Sequence, residues 1–291
     1  MSYLLTVLTL ICIFIILTQS YNLVLGYTGM VHVGHIAFMA IGAYTSALMT
    51  NAGYPFWLGL ASGVVAAGFA GLLLGIPTVR FREDYLVAAT LGMGEIVRLI
   101  LLNEREITGG SSGLPRILRP SFFGITFSGS VSLFLFVATV TTVATFIVWR
   151  IVNSRFGKVL EAIREDEIAA QSLGKNTPLI KLQILVIAAL LAGLSGVLYA
   201  HSIQFIDPES FNIHRMIYVF LIVVFGGAGT FLGPIVSSAV LYALFEAMRF
   251  LPIPPHVLGP LRWIIFSTLL IAMIILKPKG IMGAKLHRKK L

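Results

Sequence analysis

The stretch RIVNSRFGKVLEAIREDEIAAQSLGKNTPLIK, residues 150–181, decides how the chain around it folds. It holds six Lys or Arg residues and four Asp or Glu residues, whereas the sequence on both sides of it is almost entirely apolar. A charge at the centre of a bilayer costs roughly 2.5–3.5 kcal/mol, so this density of charge is excluded from hydrocarbon. The segment at about 153–180 is therefore predicted to be a water-exposed loop between two membrane spans.

Within this loop, residues 157–174 predict one short amphipathic helix. The segment consists of good helix formers and ends at Gly174, the residue type most common just past a helix C-terminus. Thr177-Pro178 then prevents continuation, because the residue before a proline disfavours the helical conformation. We expect the helix to lie on the membrane surface, held by a span on each side.

The composition places the chain among membrane proteins. It is 57% hydrophobic and 11% charged, whereas a soluble domain has about 25% charged residues. Because about 20 apolar residues cross the roughly 30 Å of hydrocarbon, the apolar runs predict an all-α polytopic membrane protein. We expect about eight to ten transmembrane helices in one domain over residues 1–291. The candidate spans lie at about 3–25, 30–50, 56–77, 84–102, 131–149, 182–200, 215–227, 233–250 and 261–276.

The spans at 30–50 and 215–227 leave two alternatives open. Each is flanked by a glycine-rich segment, so each predicts either a full span or a broken, re-entrant helix. Irregular backbone at membrane depth survives only where it is buried in protein or lines a cavity. The first span lacks a basic leader and a small-residue cleavage site, so it predicts a retained span rather than a signal peptide.

The distribution of Lys and Arg predicts the orientation. Segments 80–84, 150–181 and 277–291 contain fourteen of the twenty-one basic residues. By the positive-inside rule these segments are cytoplasmic. Nine spans then place the N-terminus outside and the basic tail 277–291 inside. The net charge of +9 follows from this sidedness and does not indicate a nucleic-acid partner.

Glycine-rich segments recur about 200 residues apart and predict a weak internal repeat. Each begins or ends an apolar helix, and pseudosymmetric halves are common in transporters. The residues around them are candidates either for the translocation path or for close helix packing: Asn22, Gly26, Gly29, Gly34, His35, Gly226 and Gly229.

Glu95 and Arg98 form a candidate charged pair inside the span at 84–102. Their i,i+3 spacing puts them on one face of a helix, where they partly neutralise each other. Charges inside a membrane are costly and are often functional. Two interpretations stay open, a self-satisfied pair that fixes helix packing and a lining of the substrate path.

The sequence offers no constellation for catalysis. His32 and His35 lack the third ligand that a metal site usually needs, and Gly109-Gly-Ser-Ser-Gly113 lacks the Lys-Ser/Thr ending of a phosphate loop. We therefore expect no catalytic residue, cofactor or metal in this chain, and no capacity to hydrolyse ATP. The single cysteine, Cys12, excludes an internal disulfide.

One run in the charged loop resembles a known coupling motif. Glu167-Ile-Ala-Ala-Gln-Ser-Leu-Gly174 resembles the E-A-A-x-x-x-G loop of ABC importer permeases, with the glutamate one place early and Ile168 in its position. In that family a short helix docks into a groove on the ATP-hydrolysing subunit. The resemblance implies a coupling surface made of Glu161, Ala162, Glu167, Ala169, Ala170 and Gly174.

Several further stretches, in the same order along residues 20–280, resemble the permease subunits of branched-chain amino acid ABC importers, specifically the M-type subunit. The resemblance implies a multi-pass protein of the cytoplasmic membrane of a bacterium or archaeon. Its implied partners are a second homologous permease, two cytoplasmic ATPase subunits that hold ATP and Mg²⁺, a solute-binding protein and an amino-acid substrate. The stretches include Asn22–Gly29, Gly34–Tyr44, Ala89–Arg98, Thr108–Leu114, Asp207–Phe211 and Gly226–Pro234.

Two alternative functions stay open. Urea importers share this scaffold and are the nearest alternative substrate class. A channel or ion-coupled carrier that works alone is the alternative from a different class, and the Glu95–Arg98 pair could serve it. An integral-membrane enzyme is disfavoured, because no acid, base and nucleophile are clustered in the sequence.

Overall fold

The computed structural model of the protein describes residues 2–79, 81, 83–122, 125–127, 129–248 and a few positions between 261 and 283. The predicted span at 261–276 and the predicted basic tail at 277–291 lie largely outside the described residues.

Eleven α-helices account for most of the described residues. Apolar runs form the long ones, and the charged loop forms two short ones. They are α1 (Ser2–Thr28), α2 (His35–Asn51), α3 (Phe56–Thr78), α4 (Glu83–Asn103), α5 (Arg105–Thr108), α6 (Ser130–Val152), α7 (Arg155–Glu165), α8 (Glu167–Ser172), α9 (Thr177–Ile203), α10 (Ile213–Gly226) and α11 (Leu232–Ala247).

Six helical segments of the described chain are long and apolar enough to cross a membrane. They are α1, α3, α4 from Tyr85, α6, α9 and the segment Pro208–Gly226 that ends with α10. This confirms the predicted all-α polytopic membrane fold. The helices α2 and α11 are shorter, at 17 and 16 residues, so each extends only about 25 Å at 1.5 Å per residue.

The predicted span at 30–50 is shorter than expected. Residues 29–34 are not helical, and α2 starts at His35. Most residues of α2 are buried between its neighbours. Protein therefore surrounds this short helix and the irregular backbone before it, which is the setting that such backbone requires within a membrane.

Two pairs of very short strands occur in the loops. β1 (Leu114–Pro115) pairs antiparallel with β4 (Phe205–Ile206), and β2 (Ser121–Phe122) pairs with β3 (Ile125–Thr126). The first pair joins the loop after α5 to the loop after α9. These two loops therefore lie on the same side of the helix bundle.

Small residues let α2, α3 and α9 pack closely at the centre of the bundle. A Cβ atom at Gly196 of α9 would overlap the Met39 carbonyl of α2, and one at Gly63 of α3 would lie 2.6 Å from the carbonyl oxygen of Gly42. Backbones can approach this closely only where side chains are absent. These glycines serve helix packing.

Three segments lie together on the side of the bundle opposite the β1–β4 loops. They are the charged loop, the turn between α10 and α11, and the segment around Gly280. The amides of Ile281 and Met282 donate to the carbonyls of Phe225 and Gly226 at 3.0 and 3.1 Å. Because α9 runs from the charged loop to β4, this side lies at the opposite end of the bundle from the β1–β4 loops.

Candidate functional site

The charged loop forms two helices, not the single helix predicted over 157–174. Ser154 begins α7 by accepting hydrogen bonds from the amides of Phe156 and Gly157. Asp166 then leaves the helical conformation, with φ −158° and ψ 103°, and its carboxylate accepts from the Ala169 amide at 2.9 Å. An aspartate is a strong N-cap, so Asp166 ends α7 and begins α8.

α8 is anchored to the start of α9 by a polar network. The Glu167 carboxylate lies 2.6 Å from the Lys181 ammonium and accepts a hydrogen bond of 2.8 Å from the Thr177 hydroxyl. The Gln171 amide also donates to Thr177, at 2.8 Å. Glu167, which lies one place before the glutamate position of the coupling motif, therefore fixes the position of α8 against the membrane-spanning part of the chain.

Gly174 ends α8 as its sequence position predicts. It has φ +78°, a left-handed conformation that glycine adopts without strain. The Lys175 amide donates to the Ala170 carbonyl and the Gly174 amide to the Gln171 carbonyl. This pair of bonds is the Schellman motif, which satisfies carbonyls at the helix end.

α8 and the residue that follows it expose two large apolar side chains. Ile168 is 77% exposed and Leu173 is 81% exposed, although the predicted motif emphasised only their small neighbours. The expected coupling residues Glu161, Ala162, Ala169 and Gly174 are also exposed. Ala170 is a correction to the expected surface, because it is only 4% exposed and faces the protein.

A second site lies where α1 crosses the turn between α10 and α11. We call Gly26 and residues 227–231 the glycine junction. A Cβ atom at Gly26 would collide with the Gly229 amide nitrogen, and Gly229 has φ +82°. The two glycine segments of the predicted repeat therefore meet, and each requires glycine at the contact.

Polar side chains of α1 hold the glycine junction together. The Asn22 carboxamide accepts from the Gly229 amide and donates to the Thr230 carbonyl, both at 2.9 Å. The Gln19 amide donates to the Phe231 carbonyl at 2.6 Å. These bonds satisfy backbone groups that a helix break leaves without intrahelical partners.

The other candidate glycines also lie close to neighbouring segments. Gly34 begins α2, and a Cβ atom there would overlap the carbonyl oxygen of Thr90 in α4. A Cβ atom at Gly226 would overlap the backbone of Gly233. Gly29 has φ +76° and lies beside the Arg164 side chain.

Buried polar groups collect where α1 packs against the start of α2. The His35 imidazole bonds to the Ser20 hydroxyl at 2.9 Å, and its ring lies 5.3 Å from that of Tyr21. Among the described residues, the Tyr21 hydroxyl, both nitrogens of His32 and Nδ1 of His35 have no hydrogen-bond partner. Sequence reasoning missed Tyr21, because a tyrosine in an apolar run carries no distinguishing signal.

Glu95 and Arg98 contact each other, as their spacing predicts, and a third charge joins them. The Arg98 guanidinium lies 2.5 Å from Glu95 and 2.5 Å from Glu209, in the loop between α9 and α10. The Arg98 side chain is 18% exposed and that of Glu95 is 40% exposed. The pair lies toward the side of the β1–β4 loops, at the partly open face of α4. Within the described part of the chain, no group of three or more His, Cys, Asp or Glu residues could hold a metal ion.

Apolar helices long enough to span a membrane, a glycine-rich break between α10 and α11, and a charged helix pair on one side define a polytopic α-helical membrane protein. The chain belongs to the family described as branched-chain amino acid transport system / permease component, whose model matches residues 3–276.

Individual relatives agree with this family. The chain is 36% identical to the high-affinity branched-chain amino acid transport system permease protein LivM of Salmonella typhimurium (strain LT2), and 36% identical to LivM of Escherichia coli (strain K12). Each match covers 94% of this chain and 68% of the relative. It is 25% identical to the probable LivM of Methanocaldococcus jannaschii, over 78% of this chain and 69% of the relative. No solved structure matches the chain.

Proposed function

We propose that this chain is the membrane-spanning permease subunit of an ATP-driven importer of leucine, isoleucine and valine. The family match over residues 3–276 carries the proposal, and the names of the LivM relatives point to the same substrates. The exposed apolar face of α8 adds a place at which a soluble subunit can act on the chain. The chain itself binds no cofactor, and ATP and Mg²⁺ belong to the partner subunits.

The coupling surface lies on the second half of α7, on α8 and on the turn that follows, and its residues are Glu161, Ala162, Glu167, Ile168, Ala169, Leu173 and Gly174. Ile168 and Leu173 present apolar area, while Ala169 and Gly174 allow close approach of a groove. Burying one such aliphatic side chain is worth about 1.5–3 kcal/mol. The partner at this surface is a cytoplasmic ATPase subunit, one for each of two permeases in the complex.

The remaining partners follow from the two sides of the bundle. A solute-binding protein docks on the outer loops at about 103–130 and 201–214, and a second homologous permease completes the path. The orientation has the N-terminus outside and the α7–α8 side inside the cytoplasmic membrane. This polarity agrees with the positive-inside rule for the segment 150–181.

Uptake by the reconstituted complex tests the function. Vesicles that contain the permease pair and the ATPase subunits are given the binding protein and ATP, and import of radiolabelled leucine and urea is measured. We expect import of leucine that requires hydrolysable ATP and the binding protein. Import of urea without import of leucine would show that urea, and not leucine, is the substrate. Uphill import by this chain alone, driven by an ion gradient, would show that it is an ion-coupled carrier and not part of an ATP-driven importer.

Co-purification tests the coupling surface separately. We expect Ile168→Asp and Leu173→Asp each to weaken retention of the ATPase subunit at least about tenfold, since 1.4 kcal/mol corresponds to a factor of ten. Ile107→Asp is the matched control, because Ile107 is 57% exposed on the opposite side. Full retention of the ATPase subunit by both variants would show that it does not bind at this surface.

A further inference from the structure

Arg164, in the last turn of α7, reaches from the charged loop to the glycine junction. Its Nη1 donates to the Gly26 carbonyl at 2.5 Å and lies 3.4 Å from the Ala228 carbonyl, which also accepts from it. One guanidinium therefore bonds to the end of α1 and to the turn between α10 and α11. The coupling motif did not include this residue.

The junction is shaped to receive this cation. The Gly26 carbonyl is among the last four of α1, which have no partner within their helix, and a positive charge is favoured at a helix C-terminus. A Cβ atom at Gly229 would overlap Arg164 Nη1, and one at Gly29 would lie 3.5 Å from Arg164 Cγ. The absence of a side chain at Gly229 makes room for the guanidinium, whereas a Cβ atom at Gly29 would make only an ordinary van der Waals contact with the arginine.

The bonds of Arg164 differ in kind from the other contacts of α7. That helix buries apolar side chains, Leu160 and Ile163 among them, and apolar contacts are non-directional. Charge-assisted hydrogen bonds fix distance and direction. Arg164 is therefore a direct and directional link between α7 and the junction.

We propose that Arg164 is the positioning residue that transmits movement of the α7–α8 surface to the glycine junction, and thereby couples ATP-driven motion to opening of the path. This inference rests on the proposed function. It assigns Arg164 no contact with substrate or ATP. It predicts that loss of the side chain separates ATP hydrolysis from import and leaves assembly intact.

The test compares Arg164→Ala, Arg164→Lys and Arg155→Ala in the complete reconstituted complex. Leucine import and phosphate release are measured in the same vesicles to give leucine imported per ATP hydrolysed. We expect Arg164→Ala to assemble and hydrolyse ATP while this ratio falls at least tenfold. Arg164→Lys, which keeps the charge and a donor, recovers part of it. Arg155→Ala is the control, because Arg155 is exposed in the first turn of the same helix, and its ratio stays unchanged.

The outcomes separate this inference from the function on which it rests. No leucine import by the unsubstituted complex would overturn the proposed function. Import by that complex with an unchanged ratio in Arg164→Ala would overturn the role of Arg164 alone. If Arg164→Ala does not assemble, the ratio is measured for Arg164→Gln, which keeps a donor on a shorter side chain. A ratio equal to that of the unsubstituted complex in this variant would likewise overturn the role.

Discussion

The carboxamide of Asn22 bonds to the backbone of Gly229, 207 residues away in the sequence, through an accepting oxygen at 2.9 Å. Its nitrogen donates to the next residue, Thr230, so one side chain satisfies a donor and an acceptor of the same turn. Asn22 is fully buried. The break between α10 and α11 is therefore held in place by a side chain of the first helix.

Replacing Asn22 by alanine is expected to destabilise the protein. The Gly229 amide and the Thr230 carbonyl would each lose their partner, at about 1–3 kcal/mol per buried group. At about 2–4 °C per kcal/mol, the apparent Tm of the purified protein should fall by several degrees. Thr139→Ala is the control, because that hydroxyl is exposed and bonds only to the Leu135 carbonyl of its own helix. Equal melting of Asn22→Ala and the unsubstituted protein would contradict the bridging role.

The Glu95–Arg98 pair is expected to show modest coupling. A fully buried pair would lose about 3–5 kcal/mol when one partner is removed, but the side chain of Glu95 is 40% exposed. Partly exposed ion pairs contribute about 1 kcal/mol or less. A double-mutant cycle with Glu95→Gln and Arg98→Gln, read by apparent Tm, should give a coupling in this range. The same cycle with Glu209→Gln should give less, because Glu209 is 62% exposed.

Measuring that cycle in the assembled complex makes the result more informative. A coupling that rises to about 3–5 kcal/mol only when the second permease is present would show that the partner covers this face of α4. The same high value in the isolated chain would contradict the exposed arrangement of the pair.

The anchor between Glu167 and Lys181 is expected to control the orientation of α8. Glu167→Gln removes the charge that Lys181 and Thr177 contact, so α8 should leave its position more often. In a Cys12→Ala background, Ala170→Cys should react slowly with a maleimide, and faster once Glu167→Gln is added. Ala169→Cys, on the exposed face, should react readily in both backgrounds. Fast labelling of Ala170→Cys with Glu167 intact would contradict the burial of this position.

Much of the fold can be predicted from local sequence patterns, whereas the arrangement of the functional sites cannot. Hydropathy alone locates the long helices, and Gly174 ends α8 as its sequence position predicts. The division of the predicted 157–174 helix does have a local signal in the sequence, because Asp166 is a strong N-cap three residues before Ala169. In this two-helix arrangement Ala170 is only 4% exposed and faces the protein.

The glycine junction could not be derived from sequence spacing. The glycines near residues 26 and 226 suggest a repeat, but the sequence does not show that the two segments touch. That contact depends on packing across about 200 residues, and so does the position of Arg164. Periodicity describes one helix face at a time, whereas these sites are formed by backbone groups of distant segments.

The orientation in the membrane provides the last prediction. Ser111 and Lys175 lie in the loops at the two opposite ends of α6, and both are exposed. The concentration of basic residues in 150–181 predicts that Lys175 is cytoplasmic. Cys12 is the single native cysteine, so Cys12→Ala gives a background for labelling. In intact cells a membrane-impermeant maleimide should label Ser111→Cys and not Lys175→Cys. Permeabilised cells should show both labelled, which controls for accessibility. Labelling of Lys175→Cys alone in intact cells would show the opposite orientation, in which the α7–α8 surface lies outside the cell and cannot contact an ATP-hydrolysing subunit.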